Sequence, residues 1–190
     1  MRWNARVAVL ALMAGSIATG AAGAAGAAGA QAQSGAQAAP RNGMGGAHKA
    51  AIPTGPLRIT FGDKHAEWTV AALASLPQTT VKAYNEHAKA TQTYSGVRLI
   101  DLLTRLGVPD KPRGKQFRIY LVAEGSDGYQ VVYSLGEVTP DVHEGTVMVA
   151  DKMDGKPLGE DGPLKIVSTE EKRPARWVRN LVSIRVLTAE

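Results

Sequence analysis

Arg173, Arg176, Trp177 and Arg179 fall within one short stretch, and their side chains are suited to ligand chemistry. A guanidinium group presents rigid, planar donors and a permanent charge, which match carboxylates, phosphates and other flat oxyanions. Trp177 offers either a flat face for stacking on a heterocycle or a large apolar body for a core. From Lys165 to Arg185 there are six basic residues against Glu170 and Glu171, a local charge of +4. The stretch reads either as a focused anion site or as a solvated loop joining two core strands.

The whole chain of 190 residues carries a formal charge of +5. Without Arg2 and Arg6 this becomes +3, so the residues outside 165–185 are slightly acidic in sum. Positive charge confined to one segment argues against a general nucleic-acid binder and for a local anion site. There is no cysteine, which removes disulfides, thiolate metal ligands, cysteine nucleophiles and iron–sulfur clusters together. No GxSxG elbow, GxxxxGK[ST] loop or GxGxxG fingerprint occurs, so hydrolase and nucleotide-binding readings have no support. His48, His65, His87 and His143 are scattered, and His87, beside Glu86 in a polar segment, is the one candidate among them; a solvated loop histidine is the plainer reading. Asp151, Asp154, Glu160 and Asp161 are too widely spaced for a calcium loop.

Residues 1–30 read as a secretory signal: Arg2 and Arg6 lie before and at the start of an apolar run from Val7 towards Ile17 that is short for a membrane span. Cleavage fits after Ala30 or Ala38, and a periplasmic location follows, with no membrane contact once the signal is removed. Residues 31–51 form a Gly/Ala/Gln-rich linker, and 52–190 form one domain.

Within that domain, strands are expected at Leu57–Phe61, Glu67–Val70, Thr79–Tyr84, Phe117–Ala123, Tyr129–Tyr133, Thr146–Ala150, Leu164–Val167 and Leu181–Val186. Thr69 suits the cap of a short helix over Ala71–Leu76. Asn85–Thr93 reads as a polar loop, and Ser95–Gly107 as a helix with Leu99, Leu102, Leu103 and Leu106 on one stripe. Ser134 begins a further helical turn through Val138. Short strands with few short helices, in no regular βαβ order, indicate an α+β fold.

Several segments occur together in a telling order: Tyr94–Leu103 (YSGVRLIDLL), Ser126–Tyr129 (SDGY), Val149–Ala150 with Asp154–Leu158 (DGKPL), Gly162–Val167 (GPLKIV) and Arg173–Arg179 (RPARWVR). This set resembles the oxidoreductase molybdopterin-binding domain of the sulfite oxidase family, in its short, exported, single-domain form, over roughly Leu57 to Leu187. The resemblance implies mixed β-sheets around a pterin pocket. It places Arg173, Arg176 and Lys165 as contacts to the cofactor's phosphate, with Asp127 and Tyr129 at the pocket's border. In the family a cysteine ahead of the GV-x-L segment ligates molybdenum, yet Tyr84–Thr93, which takes its place, contains none. The expectation is a non-catalytic or accessory module for an anionic or pterin-like ligand, with a periplasmic redox protein as partner. A molybdenum oxidoreductase with an altered metal ligand, His87 or Glu86, is the alternative.

Overall fold

A computed structural model describes residues 55–190. The signal segment, the linker and the first three residues of the 52–190 domain lie outside the described residues. In chain order the elements are β1 (Leu57–Phe61), β2 (Lys64–Trp68), α1 (Val70–Ala74), β3 (Thr79–Asn85), β4 (Ala90–Arg98) and α2 (Leu99–Leu103). There follow β5 (Ile119–Gly125), β6 (Gln130–Ser134), α3 (Leu135–Val138), β7 (Val147–Met153), β8 (Lys156–Pro157), β9 (Lys165–Ser168) and β10 (Leu181–Thr188).

These strands make two sheets. The first runs β2-β1-β10-β5-β6, with β1 and β10 parallel and every other pair antiparallel. The second runs β3-β4-β7, and β8 and β9 share the far edge of β7. Inward-facing residues alternate with outward ones, most regularly in β5, where Ile119, Leu121, Ala123 and Gly125 are buried and their neighbours are not. The inner faces of both sheets meet in one core: Leu121 and Ile184 from the first, Val149 and Ile166 from the second. The leucines of α2 fill the same core, each buried side chain contributing about 1.5–3 kcal/mol. A smaller core, with Tyr94, Met148, Val167 and Trp177, contains none of the residues of the first.

The expected helix from Ser95 begins only at Leu99, because Ser95–Arg98 complete β4 instead. Gly96 explains the switch. A Cβ there would lie 2.1 Å from the Val149 carbonyl oxygen, so glycine permits the backbone of β4 to press against β7, at the point where their register shifts. The helical run is completed by a 3₁₀ turn at Thr104–Leu106, and Gly107, at φ 87°, ends it as expected. The expected polar loop 85–93 is mostly strand. Its polar residues occupy β4, paired to β3 as far as Asn85 opposite Ala90, and only residues 86–89 turn. Polarity there reflects a sheet face open to water, which a composition argument takes for a loop. Phe117 and Arg118 belong to a 3₁₀ turn, Gly114–Arg118, ahead of β5. The short helix capped by Thr69 is present as α1, with the Thr69 hydroxyl accepting from the Ala72 amide at 3.1 Å. Among the described residues no helix is long and apolar enough to cross a membrane.

Candidate functional site

A cleft of about 400 Å³ opens beside the smaller core. Asn85 and His87 come to it from the β3–β4 hairpin, Asp127 and Tyr129 from the β5–β6 connection. Asp161 enters from the 3₁₀ turn Gly159–Asp161, and Pro174, Ala175, Trp177 and Arg179 from the segment between β9 and β10. Four stretches far apart in sequence thus converge on one concavity of a size suited to a small ligand.

Backbone hydrogen bonds lock three of these stretches together. The Ser126 amide donates to the Asn180 carbonyl at 2.9 Å, and the Asn180 amide to the Asp161 carbonyl at 2.7 Å. Asp127 accepts from the Tyr129 amide at 3.0 Å, the local bond that Asp supplies in turns. The Tyr129 hydroxyl then crosses the cleft and donates to the Ala175 carbonyl. On the hairpin, Asn85 Oδ1 accepts from the His87 amide at 3.0 Å, while Asn85 Nδ2 donates to Gln92 at 2.8 Å. The Tyr94 hydroxyl also donates to Gln92. Burial is the main cause that holds the Tyr94 phenol above its ordinary value.

The basic residues of the 165–185 stretch divide sharply in their surroundings. Lys165 is buried; its Nζ lies 2.6 Å from Asp161 Oδ2 and sits 5.1 Å and 5.5 Å from the ring centroids of Trp177 and Tyr94. It neutralises Asp161 from behind and is absent from the cleft lining. Arg176 points to the opposite side of its turn, where it meets Glu137 at 2.7 Å, donates through Nε to Glu171 at 2.8 Å, and lies 4.7 Å over the Tyr133 ring. The Tyr133 hydroxyl donates to the Arg176 carbonyl at 2.6 Å, so the turn is gripped through both its side chain and its backbone. Arg173, three-quarters exposed, stands 3.7 Å from Glu86 on the hairpin. Arg179 reaches the cleft itself, with Nε 3.9 Å from Asp161 and an exposed guanidinium. Of the expected contacts, Asp127 and Tyr129 line the cleft, Arg173 pairs with the hairpin tip, and Lys165 and Arg176 are engaged with carboxylates of their own.

The partners of Arg176 are the residues that sequence reasoning missed. Glu137 is tied into α3 as well, since its carboxylate accepts from the Ser134 amide at 2.7 Å and hydroxyl at 2.9 Å in a capping box. Burial pushes this carboxyl up, but the Ser134 and Arg176 hydrogen bonds outweigh it and leave it below the usual carboxylate value. Burial likewise works against the Arg176 charge, and the two carboxylates more than compensate, raising its pKa. The Ser134-x-x-Glu137 spacing was a legible cap signal; its link to Arg176, 39 positions on, was not. Trp177 is core, 5% exposed, donating from Nε1 to the Ser168 carbonyl and standing edge-on to Tyr94; it contributes to the cleft wall without offering a free stacking face.

One mixed and one antiparallel sheet, with a cleft built largely from their connecting turns, define an α+β domain. The family model of the oxidoreductase molybdopterin binding domain matches residues 56–190, and the chain belongs to that family. Among solved structures, the sulfane dehydrogenase SoxCD from Paracoccus pantotrophus is similar, with a TM-score of 0.54 and 24% identity over 73% of this chain. The chain spans 38% of that chain's length, and the likeness speaks for the fold. No curated protein sequence matches closely enough to count as a relative.

Family membership makes molybdopterin the cofactor to test against these residues. The organic part fits: the cleft has room, the Asp127 carboxylate suits the donor edge of a pterin ring, and Arg179 suits a phosphate. A molybdenum centre held by the protein does not fit. The sequence has no cysteine, and among the described residues no three His, Asp or Glu gather as ligands. The β3–β4 hairpin, where the resemblance leads one to expect the family's cysteine, supplies Asn85 and His87 to the cleft, neither of them a soft donor.

Proposed function

We propose that this domain is an accessory binding module that holds a pterin-like, anionic ligand in the cleft between the β3–β4 hairpin, Asp127–Tyr129 and Arg179, without oxygen-atom transfer at a protein-ligated metal. The observation that carries the reading is the donor set of the cleft. It has hydrogen-bonding groups and one exposed arginine for an organic ligand, but no thiolate for molybdenum. A thiolate sets the charge and potential of such a metal, so its absence removes the protein's main lever on redox chemistry. We place the module in the periplasm, exported by the N-terminal segment, with a redox protein there as its partner; the apolar run after Arg6 supports export.

Protein isolated natively from the periplasm tests this. Pterin fluorescence after acid release, with molybdenum far below one atom per chain, is the expected result. One molybdenum per chain, lost on His87→Ala, would replace the reading with that of an oxidoreductase using an altered metal ligand. Arg179→Ala should release the pterin without lowering the melting temperature.

A further inference from the structure

The charge that marks the 165–185 stretch in sequence does not survive into the cleft. Lys165 faces Asp161, Arg176 faces Glu137 and Glu171, and Arg173 faces Glu86. The charged side chains left in the lining are Arg179, Asp161 and Asp127; Lys165 pairs closely with Asp161 and Arg179 stands 3.9 Å from the same carboxylate with its guanidinium exposed, so Asp127 is the carboxylate without a cation. The Asp127 Oδ1 is held by the Tyr129 amide, and no side-chain cation pairs with this carboxylate among the described residues. A small oxyanion entering the cleft therefore gains Arg179 and meets Asp127, and the two charges offset one another.

We infer that Asp127 is a specificity determinant that turns the cleft against free oxyanions and in favour of ligands carrying both a hydrogen-bond-donor edge and an anionic group. The inference rests on the cleft being the ligand site. A carboxylate facing an amino-pyrimidinone edge accepts two hydrogen bonds, whereas the same carboxylate facing phosphate or sulfite is an unpaired like charge. Discrimination by one such group comes from repulsion of the wrong ligand as much as attraction of the right one. The backbone around Asp127 keeps the carboxylate in place: the Gly125 and Ser126 amides are bonded to the Tyr129 and Asn180 carbonyls at 2.9 Å each.

The experiment titrates the full chain with pterin-6-carboxylate, followed by fluorescence, and with inorganic phosphate and sulfite, followed by calorimetry. Wild type should bind pterin-6-carboxylate at least about tenfold more tightly than either oxyanion, the scale of one charge-assisted hydrogen bond. Asp127→Asn keeps the acceptor for the Tyr129 amide and removes the charge. It should weaken the pterin about tenfold and strengthen phosphate by a similar factor. Asp127→Ser, a second variant that retains a turn-forming oxygen, should behave alike. Oxyanions bound as tightly as the pterin by wild type, or unchanged by both variants, would overturn the role of Asp127 while leaving the site standing. Failure of wild type to bind the pterin, with Arg179→Ala altering no titration, would overturn the site and this inference together.

Discussion

Replacing Arg176 separates a residue that holds the cleft wall from one that touches a ligand. In the fold its guanidinium is shared between Glu137 and Glu171, whose side chains are 33% and 18% exposed, against 37% for Arg176 itself. Hydrogen bonds to charged groups contribute roughly 1.5–3 kcal/mol each when removed, and partial exposure draws these towards the lower end. Losing both, together with the contact over Tyr133, should make Arg176→Ala about 3 kcal/mol less stable. For a domain of this size that is a melting temperature roughly 10 °C lower. Arg176→Lys keeps a charge but cannot fork between two carboxylates, so it should fall in between. The pH dependence supplies a sign. Because the folded-state pKa of Glu137 is depressed, its contribution is complete above the usual carboxylate value and is lost as pH falls through the lower, folded value. The gap between wild type and Arg176→Ala should thus be constant near neutrality and narrow in acid. Thermal unfolding followed by circular dichroism measures both quantities. An Arg176→Ala protein that melts with wild type and merely loses ligand would refute the reasoning and return Arg176 to the ligand's side.

Arg173→Ala should change the melting temperature little, since its pair with Glu86 is long and exposed and such pairs are worth about 0–1 kcal/mol. A drop like that of Arg176→Ala would show that the hairpin tip needs this arginine to fold. Tyr129→Phe deletes the hydroxyl that spans the cleft to the Ala175 carbonyl; it should cost about 1 kcal/mol and loosen ligand binding, both readable in one titration and one melt. Gly96→Ala drives a methyl group into the Val149 backbone and should lower urea stability by about 3 kcal/mol or more, whereas a neutral outcome would show that β4 and β7 separate easily. Leu103→Ala should cost about 2–5 kcal/mol by opening a cavity between the sheets, with little change in ligand affinity.

Much of the fold was legible in the chain. The alternation in β1, β5 and β10, the leucine stripe of α2, the Thr69 and Ser134 caps and the stop at Gly107 are local signals that the structure keeps. At β4, where reading and structure part most, a long-range contact decides. Ser95–Arg98 carry no strong local bias, and pairing with β7 makes them strand. The polar run after Asn85 becomes β4 because β3 lies alongside it. The cleft shows the same division. Asp127 and Tyr129 could be singled out from a short motif, but Asn85, Asp161 and Arg179 become its neighbours only through chain crossings.

The amino-acid order alone determined which residue types were available: no thiolate anywhere, and a run of arginines close to a tryptophan. Tertiary structure decided what those residues do, because a charge is defined by what faces it. Glu137 is 39 positions from Arg176 and Glu86 is 87 from Arg173, yet each stands within ion-pair distance. Coulomb attraction depends on separation in space and on access to water, neither of which a one-dimensional string of residues contains.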